Sequence, residues 1–378
     1  MPKQLEQTVI KTPDDLARSL GYERVSYNNI QDLQVDFLET MRGLWPFTLR
    51  QHEAIQKKDT AEMEKIKQDE MPVLLRAKGI LALIATIRLN IIEACERDEA
   101  TRKEMDFRCR DSWKFFINYF CWMHEPRMPY PLPAKIPFIL YPGQERMLET
   151  MEMCLETRQN GIIFKSRGAG GSWGFCAVEV HHWKYRKEYR SILGSETEEK
   201  VDVIGSTNPL FGKLRYIIYN TPMWWRPTTF TTEAGPNDNK RRLLNPDNGS
   251  EIVGEIGESI GRSGRATRVI IDESQDLSKP EKVDFSLEDV AVSRIDVGTA
   301  KGMNHFGQKI ESRKVVVHTI GWECDPRKNP DWREEKKNVD CPRRKYIEAT
   351  RDPVVIAQEY DRNLRASVED AFIDPLWV

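Results

Sequence analysis

The run Lys165-Ser166-Arg167-Gly168-Ala169-Gly170-Gly171-Ser172 has the composition of an anion cradle. Glycines let a chain turn tightly enough for successive backbone N–H groups to face one ligand. A helix beginning at the end of such a turn adds the positive end of its dipole. Both flanks fit: Gly161-Ile162-Ile163-Phe164 reads as a strand, and Trp173-Gly174-Phe175-Cys176-Ala177-Val178 reads as a helix. Aligned with the phosphate-binding pattern G-x-x-x-x-G-K-S/T, the run puts Gly171 where the lysine belongs and Lys165 where the first glycine belongs. The chemistry still requires a cation beside the phosphates. Lys165 would approach them from the front of the loop and Arg167 is a second donor; the sequence leaves both open. Ser172 keeps the hydroxyl that holds magnesium in such loops. The competing reading of this segment alone is an ordinary glycine-rich turn.

A second motif lies downstream, in Arg268-Val269-Ile270-Ile271-Asp272-Glu273-Ser274-Gln275-Asp276, where an apolar strand ends in two carboxylates. Asp272 would hold Mg2+ and Glu273 would orient and polarise an attacking water. Just before it, Gly261-Arg262-Ser263-Gly264-Arg265 places guanidinium groups on a turn expected to be flexible. That suits an arginine finger neutralising a transferring phosphoryl group, with Arg262 or Arg265 as the finger; a surface or DNA-phosphate contact is the other reading. After it, Asp296-Val297-Gly298-Thr299-Ala300-Lys301-Gly302 offers a strand end and a small polar turn suited to sensing the γ-phosphate or coupling its loss to movement.

Elements must bring these pieces together. Short apolar runs at 161–164, 191–193, 269–271 and 315–317 alternate with helical stretches, which predicts an α/β unit with a largely parallel sheet. Asp247-Asn248-Gly249 before Glu251-Ile252-Val253 predicts an inserted antiparallel hairpin. The first third reads as helix. Thr12-Pro13-Asp14-Asp15 is a helix start closed by Gly21, 59–70 a solvated charged helix, and 73–95 a buried one carrying Leu74, Leu75, Ile80, Leu83, Ile84, Ile87 and Ile91. Trp113, Phe115, Phe116, Tyr119, Phe120 and Trp122 form an aromatic cluster read as packing. Pro126, Pro129, Pro131, Pro133 and Pro137 predict an extended connector, where the main boundary is placed. With 57 basic and 59 acidic residues in 378, overall charge names no partner, though a basic patch for DNA is not excluded by neutrality. Lys213 with Arg215, Lys240 to Arg242 and Arg343 to Lys345 are the candidate patches, or simply solvated surface. Seven cysteines stand singly, without zinc-ligand spacing, and read as reduced buried thiols. No secretory signal opens the chain, and the apolar run 80–87 is too short to span a bilayer, so an intracellular location without membrane contact is expected.

The order of these motifs resembles the large subunit of tailed-phage terminases over roughly residues 138–373. Leu140-Tyr141-Pro142-Gly143-Gln144 looks like that family's adenine-contacting motif, with Gln144 reading the adenine edge, and a lysine at the front of the phosphate loop is a variant found there. Arg262 stands where the family places a trans-acting finger, with Ser263 replacing the usual glycine. Thr299 falls on the family's coupling motif, and Gln358-Glu359-Tyr360 with Phe372 is similar to the segment joining lid to nuclease. The resemblance implies an ASCE-type P-loop NTPase core at 131–325 with a mostly parallel sheet flanked by helices. A helical region at 1–130 precedes it, a lid and linker at 326–373 follow, and 374–378 begins a linker to a nuclease domain. It also implies Mg2+ with ATP as substrate, double-stranded viral DNA, a portal protein, a small terminase subunit, a homo-oligomeric ring, and work at the procapsid portal in the host cytoplasm. DNA cleavage is not expected, since the chain ends at Asp374-Pro375-Leu376-Trp377-Val378. A helicase-like ATPase and a non-catalytic nucleotide-binding scaffold are the alternatives.

Overall fold

The structure is a computed structural model describing residues 13–22, 30–228 and 235–366. Thr12 of the first helix start, Phe372 and the 374–378 linker lie outside the described residues. Six helices come first: α1 (Pro13–Ser19), α2 (Ile30–Arg42), α3 (Trp45–Lys57), α4 (Thr60–Arg97), α5 (Glu99–Asp111) and α6 (Trp113–Phe120). Side chains mark their starts, as Asp59, Asp98 and Ser112 each accept a hydrogen bond from a backbone N–H in the first turn of α4, α5 and α6. The solvated and buried helices expected at 59–70 and 73–95 are one 38-residue helix that runs through Pro72. A proline there removes one backbone bond, at a cost of about 3 kcal/mol. Burying Leu74, Ala77, Ile80, Leu81, Leu83 and Ile84 against the neighbouring helices offsets it. Leu75, expected inside, is 55% exposed, because it lies off that face.

The proline-rich connector holds a small antiparallel pair, β1 (Trp122–His124) with β2 (Lys135–Pro137). Beyond it come α7 (Pro142–Glu156), β3 (Gly161–Lys165), α8 (Gly171–Tyr185), β4 (Arg190–Ser195), α9 (Glu198–Val201), α10 (Leu210–Tyr219), β5 (Asp238–Asn239), β6 (Arg242–Leu244), β7 (Glu251–Ile256), β8 (Ala266–Asp272), α11 (Pro280–Leu287), β9 (Ala291–Gly298), α12 (His305–Ser312), β10 (Val316–Ile320), α13 (Pro342–Thr350) and α14 (Pro353–Ile356). One eight-stranded sheet has the order β10-β3-β9-β8-β4-β7-β6-β5. Its first six strands are parallel, and the expected hairpin closes the far edge as β6 antiparallel to β7, with β5 added. The strand carrying Thr299 at its end, β9, therefore lies between the phosphate-loop strand β3 and the acidic strand β8.

Both faces of the sheet are covered, and period-two alternation assigns each side chain to one of them. Ile163, Ile270, Ile295 and Val297 join the large core that α7, α8 and the N-terminal helices build. Ile192, Val269 and Ile271 point the other way, under Val283 and Leu287 of α11, while Ile162 and Phe164 meet Phe306 of α12. The large core runs unbroken from Ala17 to Cys324, across the proline connector. Phe116, Tyr119 and Phe120 of the aromatic cluster are part of it, with Phe116 stacked on Trp225 at 4.7 Å.

A buried charge network ties helices to sheet. Arg268 of β8 is fully enclosed and binds Glu152 of α7 at 2.6 Å and Glu179 of α8 at 2.9 Å. Glu152 also meets His182 Nε2 at 2.8 Å, and His181 Nε2 meets the Cys109 carbonyl of α5 at 2.7 Å. Burial, reinforced by the neighbouring His182, pushes His181 down to about 3.

Candidate nucleotide-binding site

The carboxyl ends of β3, β8, β9 and β4 meet at one edge of the sheet, where open parallel sheets usually bind ligands. The loop after β3 delivers Ser172 in the first turn of α8, and the end of β8 delivers Asp272. Ser172 Oγ donates to Asp272 Oδ2 at 2.6 Å, across 100 residues of sequence. Lys165 Nζ lies 3.9 Å from Asp272 Oδ1, and both side chains are largely enclosed. A Cβ built on Gly171 would sit 3.5 Å from Lys165 Cδ, an ordinary van der Waals contact, so the Lys165 stem passes beside position 171 on its way to Asp272. Arg167 is placed differently, with a largely exposed side chain 3.6 Å from Glu359.

Ser166 and Arg167 spend their N–H groups on the Ile320 and Glu359 carbonyls, at 2.9 and 2.6 Å. From Gly168 through Ser172, no loop or side-chain acceptor takes a backbone N–H among the described residues. The free donors therefore begin at Gly168. Gly170 makes the turn into α8 with φ +77°, and a Cβ there would fall 2.4 Å from Gln144 Nε2, so only glycine fits. Gln144 and Tyr141 both donate to the Ala169 carbonyl, at 3.0 and 3.2 Å; the glutamine expected to read adenine is, in this structure, a brace for the loop. Trp173 packs edge-on to Tyr216 of α10, 5.7 Å between ring centres.

Glu273 follows Asp272 in a left-handed conformation, φ 55° and ψ 42°, which turns its side chain away from the strand direction. Its carboxylate is ion-paired with Lys200 of α9, which also meets Asp276 at 3.1 Å. The loop beyond is fastened to β9: Ser274 Oγ donates to Asp296 at 3.0 Å, and Thr299 N–H donates to Gln275 Oε1 at 3.1 Å. Asp296 itself is enclosed. Burial alone would raise its carboxyl, but Arg294 at 2.8 Å and Lys309 at 2.8 Å outweigh that and hold it down at about 2.

The turn carrying Arg262 and Arg265 is not the flexible segment expected. Glu255 accepts from the N–H groups of Gly261 and Ser263, and Arg190 donates to the Ser263 and Arg265 carbonyls at 3.1 and 2.7 Å. The backbone is pinned while both arginines remain exposed. Two basic candidates also differ from expectation. Arg215 is committed to Asp202 at 2.6 Å and Asp238 at 2.8 Å, and Arg343 is buried among Trp45, Trp322 and Tyr360, so neither is a free cation for DNA. Arg242 pairs with Glu251 at 2.9 Å, and Lys345 is exposed.

Sequence reasoning missed the residues that hold the loop from behind. Lys328 Nζ donates to the Gly168 carbonyl at 2.7 Å and Arg327 Nη2 does so at 3.3 Å, both anchored on the buried Asp325. Burial pushes the Lys328 amine down to about 8, although Asp325 opposes the shift. Arg362 donates to Ser166 Oγ at 2.6 Å, and Ser166 Oγ donates to the Tyr360 carbonyl at 2.8 Å. None of these belongs to a spaced motif; only the basic pair Arg327-Lys328 after the β10 strand was a visible signal.

Ser172 and Asp272 present a hydroxyl and a carboxylate, the oxygen donors that Mg2+ prefers. Among the described residues no group of three or more His, Cys, Asp or Glu side chains is arranged to hold a metal, so phosphate and water would have to complete such a shell. No helix among the described residues is long and apolar enough to cross a membrane.

Comparison with solved structures returns the ATPase domain of the large terminase of Thermus phage P74-26. An arginine-to-alanine variant of it is 15% identical, with a TM-score of 0.40, over 60% of this chain and 94% of that one. A second structure of the domain is 14% identical, with a TM-score of 0.36, over 54% of this chain and 87% of that one. No protein-family profile and no curated protein sequence matches the chain.

Proposed function

We propose that this chain is an Mg-dependent ATPase, and that it serves as the motor part of a viral DNA-packaging terminase. The observation that carries the catalytic reading is the 2.6 Å bond between Ser172 and Asp272, which puts the hydroxyl of the glycine loop and the carboxylate of the acidic strand on one point. On this reading Ser172 and Asp272 would hold Mg2+, which would supply positive charge against the phosphates. The free N–H groups from Gly168 to Ser172 receive the phosphates, and Lys165 supplies the positive charge. Glu273 exchanges Lys200 for the attacking water, orients it and accepts its proton. Arg262 or Arg265, exposed on a rigid turn, neutralises the transition state from its own or a neighbouring subunit. Thr299 sits where β9 meets the Glu273 loop, so loss of phosphate there would move both.

The packaging role rests on the order of the motifs described above, and with it come double-stranded DNA, a portal, a small terminase subunit, a ring of copies and the host cytoplasm as site of action. Glu273→Ala tests the chemistry. Turnover of Mg-ATP should fall by about two to four orders of magnitude, as for loss of a general base, while nucleotide binding persists. Phosphate release from Mg-ATP at a near-normal rate in that variant would remove Glu273 from the mechanism, and no release from the unaltered chain would leave only a nucleotide-binding scaffold.

A further inference from the structure

We infer that Lys328 is a positioning residue that sets the peptide planes of the phosphate loop, and that the α2–α3 corner acts on nucleotide affinity through it. The inference rests on the nucleotide reading of the glycine loop. In a trans peptide the C=O of one residue and the N–H of the next point opposite ways. Lys328 Nζ holds the Gly168 carbonyl at 2.7 Å and the Arg167 carbonyl at 3.4 Å, while Gln144 and Tyr141 hold that of Ala169. Fixing these three carbonyls turns the N–H groups of Gly168, Ala169 and Gly170 away from their donors, where no acceptor among the described residues meets them. Without the clamp, a glycine-rich loop would sample flipped peptides that present carbonyl oxygens to an anion.

The clamp is itself held from the N-terminal region. Arg42, the last residue of α2, donates to the Pro326 and Asn329 carbonyls at 2.9 and 3.2 Å, and Trp45, the first of α3, donates from its indole to the Arg327 carbonyl at 2.8 Å. Glu39 adds bonds to Trp332 at 2.8 Å and Arg333 at 2.9 Å. A continuous path thus runs from α2 and α3 through 326–329 to the Gly168 carbonyl. It gives the helical region a role in the chemistry without contact with the nucleotide: whatever displaces the α2–α3 corner loosens the cradle.

The test measures KM, kcat and equilibrium binding of a fluorescent ATP analogue for the full chain and for Lys328→Met, Lys328→Arg and Arg42→Ala. Lys328→Met should weaken analogue binding and raise KM by about tenfold or more, as for loss of a charge-assisted bond, with a smaller change in kcat. Lys328→Arg, which keeps a donor, should recover most of that loss. Arg42→Ala should raise KM by roughly threefold to tenfold with kcat nearly unchanged. Unaltered KM in folded Lys328→Met overturns the proposal; should that variant not fold, unaltered KM in Arg42→Ala overturns it. If the unaltered chain binds no analogue, the nucleotide reading itself fails, an outcome separable from the other two.

Discussion

Lys165 and Arg167 show what a side chain's surroundings add to its identity. From the sequence the two are equivalent substitutes for a missing loop lysine, because each is a cation in the loop. The structure separates them by direction: Lys165 passes over Gly171 toward Asp272, and Arg167 faces solvent beside Glu359. Lys165→Ala should therefore lower kcat/KM for Mg-ATP by about a hundredfold or more, whereas Arg167→Ala should stay within about threefold. Steady-state phosphate release for the two variants decides it, and equal losses would contradict the assignment. The residues proposed to carry the chemistry could be named from the sequence because glycine, lysine, serine and paired carboxylates at fixed spacing form a pattern that a phosphate and its metal would demand. Lys328, Arg362 and Gln144 in its bracing role could not be, because holding a carbonyl or a hydroxyl asks only for some donor at some distance along the chain.

Strands and helices were read well where one face or one cap dominates. The runs at 161–164, 191–193 and 269–271 became β3, β4 and β8 because apolar residues there are buried on both faces of a parallel sheet, while 315–317 leads into the edge strand β10, where the valines are half-buried. The helix through Pro72 was split in the reading because its charged first part and its apolar second part suit different surroundings, yet one continuous helix carries both. A glycine marks how tightly two strands of the site are joined. At Gly298, the last residue of β9, a Cβ would lie 2.4 Å from Gln275 Oε1 and 2.8 Å from Phe306 Cζ. Gly298→Ala should push Gln275 off Thr299 and destabilise the fold by about 1–3 kcal/mol, the usual cost of overpacking. Urea unfolding measures this, and an unchanged midpoint would show that the Gln275 loop yields freely.

At the scale of the molecule, one core extends from the first helix to the segment beyond β10, although the composition suggested a break at the prolines. Prolines report backbone freedom and are silent about which apolar faces meet across them. Inside that core, His181 and His182 are enclosed, and burial favours their neutral forms. The folded value of about 3 for His181 lies below its ordinary 6.5, so the unfolded chain binds the proton first. Its contribution to stability is complete above pH 6.5 and is lost as pH falls from there toward 3, by about 1.4 kcal/mol per pH unit. Denaturant titrations between pH 7.5 and 5 should show that decline, and it should be shallower by about that amount in His181→Gln; identical slopes would refute the linkage. The enclosed Arg268 has a different kind of consequence. Its guanidinium is neutralised only when Glu152, more than a hundred residues earlier, and Glu179 are already docked on β8. A charge left unpaired inside the sheet costs about 3–5 kcal/mol, a large share of a domain's stability. Any natural rearrangement, fusion or shortening of this chain must therefore carry α7, α8 and β8 as one inheritable block, whatever becomes of the pieces around it.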